Sequence, residues 1–418
     1  MDKVIRTALS FKEMKVRHDD DFADRLSRQY TTSLLIVFAL IVSTKQFVGE
    51  PIACWCPAHF TESHRSYTNT LCWISNTFYV PFDLSIPENM DSQWRDRKMV
   101  SYYQWVPLIM LSMSVLAFLP SMIWRFLNMR SGIDVTGLLD SAEICQKASY
   151  AEIRHKTIRY IVNQIDRYLI MQREYRNGCC INLNQQLAKH CFLFGGKRHG
   201  NYLMVTYLII KLCYLVNAVG QLFLLDHFLG MHDFHMYGFQ VIARVMQGED
   251  WTVSDRFPRV TLCSFNIRHQ ARIHDYVVQC ALTINLFNEK IFILIWFWYV
   301  FVAIMTLFSC VTWIIRALYW PAQIHYAKKK LRAYEVTHRS KASLRKFVQY
   351  YLRRDGLFIL RLISINIGEL VAAETLAALW ENYGPDKRAI SEQPHSKMKR
   401  PPATAPSNGQ HTGTMDVV

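Results

Sequence analysis

The sequence predicts a mainly α-helical membrane protein: four membrane-spanning helices, polar loops between them, and a helical domain outside the bilayer. Three observations predict it. Four apolar runs, Thr31–Val48, Val106–Leu127, Tyr202–Leu225 and Ile291–Ile315, are each close to the ~20 helical residues that cross a bilayer. Only 19% of the 418 residues are charged, below the ~25% of an ordinary soluble chain, yet mean hydropathy is near zero, so long polar parts accompany the spans. The basic residues are also unevenly placed. Segments 1–29, 121–200 and 314–418 carry 36 of the 48 Lys and Arg and a net charge of +16, against −2 for the two intervening loops. The positive-inside rule then puts both termini and the middle loop in the cytoplasm. This topology accounts for the formal +15 of the chain, so no nucleic-acid partner is needed.

Residues 1–30 form a cytoplasmic segment. Val4, Ile5, Ala8, Leu9 and Phe11 fall near one helical face, with Lys3, Arg6 and Lys12 on others. Asp19-Asp20-Asp21 come next, and three adjacent carboxylates repel, so they are expected to be solvated or paired with Arg17, Arg25 or Arg28. Two readings stand: a membrane-surface helix leading into a charged turn, or a short helix folded into a pore. The first 29 residues are polar and no small-residue cleavage site follows the first apolar run, so that run, 31–48, stays as an anchor with Lys45 reaching to the interface.

The loop 49–105 opens with Gly49 and Pro51, which break the helix. Cys54, Cys56 and Cys72 lie here, and Cys263 and Cys280 in the loop 226–290. Outer loops meet an oxidising compartment, so these cysteines are expected in disulfides, with one of the five either free or paired between subunits. Their pairing is not readable from spacing. The C-x-C of Cys54 and Cys56 lacks a matching His or Cys pair, and no metal site is assigned. Three histidines, His227, His232 and His235, read as solvated loop residues, with metal binding or pH sensing as the alternative.

Tyr102-Tyr103-Gln104-Trp105-Val106-Pro107 stands where the first loop meets the second span, 106–127. Aromatic rings with polar edges favour the membrane boundary, and Pro107 suits a first helical turn. Pro120 within that span is a static bend or a hinge. The cytoplasmic loop 128–201 repeats Ile153, Ile158, Ile161, Ile165 and Leu169 at helical spacing. It contains neither a zinc motif nor a phosphate loop; Cys179-Cys180 there are ordinary thiols or a palmitoylation site. The third span, 202–225, contains Lys211, which must pair, face a water-filled path or snorkel. After the fourth span, 291–315, Lys328-Lys329-Lys330 lie near anionic lipid. Leu357–Ile365 is apolar but short and interrupted by Arg361, so it belongs to a buried piece of a cytoplasmic domain over 316–382. The tail 383–418 has a disorder-prone composition and ends in Asp416-Val417-Val418, a carboxylate that a PDZ domain could take.

The string YYQWVP at the outer end of a second span resembles the innexins, the gap-junction proteins of invertebrates. DDDFADRLSRQYTTSLL, KQFVGEPIACWCPAHF, CWISNTFYVP, FPRVTLC, VVQCALTINLFNEKIF, DGLFILRLISIN and LWENY resemble the same family, over about 15–382. Thr283 stands where that family usually has Pro. The resemblance implies that Cys54, Cys72, Cys263 and Cys280 are the structural disulfide set, with Cys56 as the odd thiol. It implies hemichannels, octameric in expectation, that dock end to end between plasma membranes and pass ions and small metabolites. The amino-terminal helix, with Lys3, Val4 and Arg6, and the start of the first loop, with Lys45 and Glu50, would then line the path.

Physics supports the channel reading independently. Four spans make too small a bundle for a wide pore, so a ring of subunits is required, closed by a heterologous interface. Neither outer loop has an N-x-S/T sequon, leaving a docking face free of N-linked glycan. No nucleophile–base arrangement points to an enzyme, and no cofactor is assigned. The partners expected are further copies of the chain, other innexins in mixed rings, and membrane lipid. The alternatives are an undocked channel like the pannexins and a non-conducting adhesion protein.

Overall fold

The computed structural model describes residues 19–81, 99–171, 200–228, 246–247, 257–269, 272–334 and 341–383. Expectations for Lys3, Val4, Arg6, Cys179, Cys180, His232, His235 and the terminal Asp416-Val417-Val418 lie outside them. The elements run α1 (Phe22–Phe47), β1 (Ala53–Trp55), α2 (Glu62–Ser75), β2 (Thr77–Phe78), β3 (Met99–Val100), α3 (Val106–Met129), α4 (Val135–Lys147), α5 (Ala151–Met171) and α6 (Tyr202–Phe228). They continue with β4 (Val260–His269), β5 (Arg272–Ala281), α7 (Thr283–Leu318), α8 (Trp320–Ala333), α9 (Lys341–Lys346, continued as π-helix over Phe347–Leu352), α10 (Arg353–Asn366) and α11 (Glu369–Asn382). The chain divides into two compact units.

The first unit comprises residues up to Arg130 and Thr206–Leu318. Its four long helices, α1, α3, α6 and α7, are each long and apolar enough to cross a membrane. They bury one stripe and expose apolar side chains on the other: Val115, Val216, Phe223, Ile304 and Phe308 are all more than half exposed. An apolar outer surface on helices of this length is what a lipid solvent selects. Two of the helices begin earlier than hydropathy alone expects. α1 starts at Phe22 because Asp21 caps it, accepting from the Asp24 N–H at 3.1 Å. α7 starts at Thr283, and loop groups meet two of the polar side chains in its first turns. Asn285 donates to the Pro258 carbonyl at 2.9 Å, and Arg259 pairs with Glu289 at 3.2 Å.

The two loops between helices build a five-stranded antiparallel sheet in the order β1-β5-β4-β2-β3. None of these strands was among the expected elements. β4 and β5 form a long hairpin in which Cys263 faces Val278. Thr261, Cys263 and Phe265 on β4, and Val278 and Cys280 on β5, point inward with the two-residue period of a half-buried sheet. Sheet and helices share one core: Leu35, Ala39, Met110, Leu225, Phe292 and Trp296 join Cys72, Cys263, Phe265 and Cys280 in a single cluster.

The second unit comprises Ser131–Val205 and the chain from Tyr319 onward. Ile158, Ile161, Ile165 and Leu169 of α5 are buried on one face, but Ile153 is exposed. Leu357–Ile363 in α10 are buried throughout, Arg361 included, but Ile365 at the end of the expected buried piece is exposed. Lys330 corrects an expectation: it is buried and pairs with Glu369 rather than facing lipid. Gly200 has φ +69°, and a Cβ there would stand 2.7 Å from the Arg353 side chain. The left-handed φ is what favours glycine here, since the end of the Arg353 side chain can move aside. Its carbonyl accepts from the Asp355 N–H at 3.0 Å.

Candidate functional site

Two places in the first unit gather residues that the sequence singles out: the sheet that caps one end of the bundle, and a charged network around Lys211.

The cap is cross-linked twice. Cys54 of β1 bonds to Cys280 of β5, which it faces directly in the sheet, and Cys72 of α2 bonds to Cys263 of β4. Each bridge joins the first loop to the second. Thr61 and His64 cap α2 reciprocally, so the helix start is held as well. Cys56 is the free thiol; it is buried and lies 3.7 Å from the Cys54 carbonyl. The sulfurs of Cys54, Cys72 and Cys280 lie within 4.8 Å of one another, but all three are in disulfides, which leaves no thiolate there to hold a metal.

The Tyr102–Pro107 motif is a joint more than a belt of interfacial rings. Tyr103 is fully buried, with its ring 4.7 Å from that of Trp73 in α2. Tyr102 meets Phe228 and Phe257 edge-on. The Tyr103 carbonyl accepts from the Gln46 side chain of α1 at 2.7 Å, and Gln104 donates to the Trp73 carbonyl at 2.5 Å. Burial pushes the Tyr103 phenol up to about 12. Only Trp105 is mostly exposed, as a ring at a membrane boundary would be. The motif therefore ties α1, α2 and α3 together at the cap. Lys45, half-buried, lies 5.9 Å over the Phe287 ring, and Glu50 is exposed with its carbonyl accepting from Thr283. Pro120 is buried inside α3, which continues through it to Met129.

Lys211 sits mid-helix in α6 and is fully buried. Its ammonium is 2.5 Å from Asp21 and 2.8 Å from Asp24, donates to the Ser309 hydroxyl at 2.9 Å, and lies 5.3 Å from the Tyr207 ring. Of the three open readings for Lys211, the structure shows pairing. The same acidic stretch is held by every other long helix. Trp124 of α3 donates to Asp19 at 3.0 Å, Tyr207 of α6 to Asp24 at 3.0 Å, and Ser309 and Trp313 of α7 to Asp21 at 2.5 and 3.0 Å. Asp20 takes Arg28 at 2.8 Å and Arg25 at 3.6 Å. The acidic run is thus buried and paired within the bundle, not a solvated turn. Sequence reasoning singled out Lys211 but missed its partners. A lone cation in one span and surplus acids at the start of another were the available signal, without the packing that joins them.

A bundle of four lipid-facing helices under a disulfide-tied, two-loop cap defines a class: multi-span membrane proteins that present a rigid rim. Comparison with known proteins narrows it. The innexin family model matches residues 20–383. The chain is 37% identical to innexin unc-9 of Caenorhabditis elegans, over 91% of this chain and 96% of that one. It is 32% identical to innexin-19 of Caenorhabditis briggsae, over 92% and 91%. Innexin eat-5 of Caenorhabditis elegans is 30% identical over 89% of each. The chain belongs to the innexin family. It is a subunit of gap-junction channels, the membrane proteins that join neighbouring invertebrate cells, and not an enzyme.

Proposed function

We propose that copies of this chain close into octameric rings in the plasma membrane, with both termini in the cytoplasm. Each ring docks through its cap with the ring of an apposed cell. The observation that carries this reading is the cap. Two disulfides tie its loops into one sheet, so meeting a second copy costs little ordering of the backbone. It also exposes large apolar side chains: Trp55 is 80% exposed, Tyr67 57%, Ile74 65% and Ile273 60%. Such side chains on a water-facing rim are what subunit and docking contacts would cover. The chain before Asp19, with Lys3, Val4 and Arg6, and the end of α1 with Lys45 and Glu50, line the conducting path in this reading.

The test is junctional conductance between paired cells that both express the chain, with membrane current recorded in single cells. Current between cells is the expected result. Membrane current without junctional current would replace docking by an undocked channel. Silence in both, with protein at the surface, would sink homomeric conduction, and co-expression with a second innexin would then separate a mixed ring from an adhesion protein.

A further inference from the structure

Five side chains from three helices converge on six residues of chain, Asp19 to Asp24, at the start of α1. The carboxylates do not merely neutralise Lys211. Asp21 and Asp24 each take Lys211 and at least one further donor, and those donors come from α6 and α7. Asp19 is held from α3. Apolar contacts would allow α1 to slide or rotate by a small amount; directional bonds to buried carboxylates do not.

The backbone supports the same arrangement. α1 is π-helical over Leu26–Thr31, just past the acidic stretch. A π turn adds one residue relative to an α-helix, which rotates the chain on its amino-terminal side by about 100° with respect to the chain on its carboxyl-terminal side. That rotation lets one helix satisfy two demands: Leu35, Ala39 and Val42 face the bundle core, and Asp21 and Asp24 still reach Lys211. The turn is held by Thr31, which donates to the Leu26 carbonyl at 3.0 Å and accepts from Trp298 of α7 at 2.9 Å.

We infer that Lys211 is a positioning residue of the channel: by holding Asp21 and Asp24 it sets where, and at what angle, the chain before Asp19 leaves the bundle. It does this without touching what permeates. The inference rests on the proposed reading that the preceding residues contribute to the conducting path.

The test uses full-length variants. Lys211→Met alone leaves two buried carboxylates without their cation, and loss of surface protein is expected. The triple variant Lys211→Met/Asp21→Asn/Asp24→Asn removes all three charges at near-constant shape, and surface protein should return. Two readouts then separate positioning from simple neutralisation. Backbone hydrogen exchange in the peptide over 19–31 of the purified protein should rise about tenfold or more, and unitary conductance should differ from wild type. Wild-type exchange and conductance in the triple variant would overturn the inference. A charge swap, Lys211→Asp/Asp24→Lys, should restore exchange protection at least in part. If neither the triple nor the swap reaches the surface, the charges serve folding alone and the inference falls. The exchange measurement is independent of current, so a wild-type chain that conducts nothing would count against the proposed homomeric channel and leave the anchoring claim to be decided by exchange.

Discussion

Asp355 shows how one buried group can organise its surroundings. It is fully buried in the second unit, accepting from the Tyr168 hydroxyl at 3.0 Å and the Met204 N–H at 3.2 Å. Burial raises its carboxyl above the ordinary value, and the two donors offset this only in part. A carboxyl that ionises at higher pH in the fold than in the unfolded chain adds stability while it is protonated. That stability is complete below the unfolded value and is lost as pH rises through the folded one. Protection of the 353–366 peptide, corrected for intrinsic exchange, should therefore increase as pH falls toward the ordinary carboxylate range. Asp355→Asn should abolish that increase. An identical pH response in both proteins would show that another group is responsible. The sequence offered little warning of this residue: Asp355 begins an apolar run, and nothing local says that its side chain turns inward. Lys211 was conspicuous by contrast, because a charge inside a span demands an explanation.

At the scale of elements, the long helices were legible and the strands were not. A span needs only a sustained apolar run, which is a local property. β4 and β5 carry the signals of strands, with Val, Thr, Phe, Ile and Tyr at alternating inward positions, but their sheet is completed by β1, β2 and β3 from a loop far away in sequence. The disulfides close that distance. Cys54 and Cys280 are 226 residues apart, and Cys72 and Cys263 are 191 apart, so each bridge restricts a very long loop in the unfolded chain. Cys72→Ser should cost about 2–5 kcal/mol of cap stability and abolish junctional current. Normal coupling between cells expressing it would remove the structural role of the bridge. Cys56→Ser should leave both disulfides intact by non-reducing peptide mapping and leave conductance unchanged. A reshuffled map would mean that Cys56 competes in the pairing.

At the scale of the whole molecule, one chain supplies four spans and a cap, too little to enclose a wide pore. The conducting path belongs to the assembly, and each subunit contributes a stretch of its wall. If the chain before Asp19 is part of that wall, deleting residues 2–12 should change unitary conductance or its voltage dependence while surface protein persists. Conductance and gating at wild-type values would exclude those residues from the path. The anchor at Asp19–Asp24 lies outside this deletion, so the deletion and the Lys211 variants probe separate parts of the channel.

The sequence by itself determined the number of spans, the charge asymmetry, the family resemblance and the four cysteines of the cap. Each of these is written in local composition or short motifs, because a bilayer solvent and an oxidising compartment act on the chain residue by residue. Tertiary structure alone decided which cysteine meets which, that the loops form one sheet, that Tyr103 is a buried joint, and that the acidic run is the counter-charge of Lys211. These depend on side chains distant in the chain meeting in space, as Asp24 and Lys211 do across nearly two hundred residues. Only the packing of the helices places the carboxylates where their charge is needed.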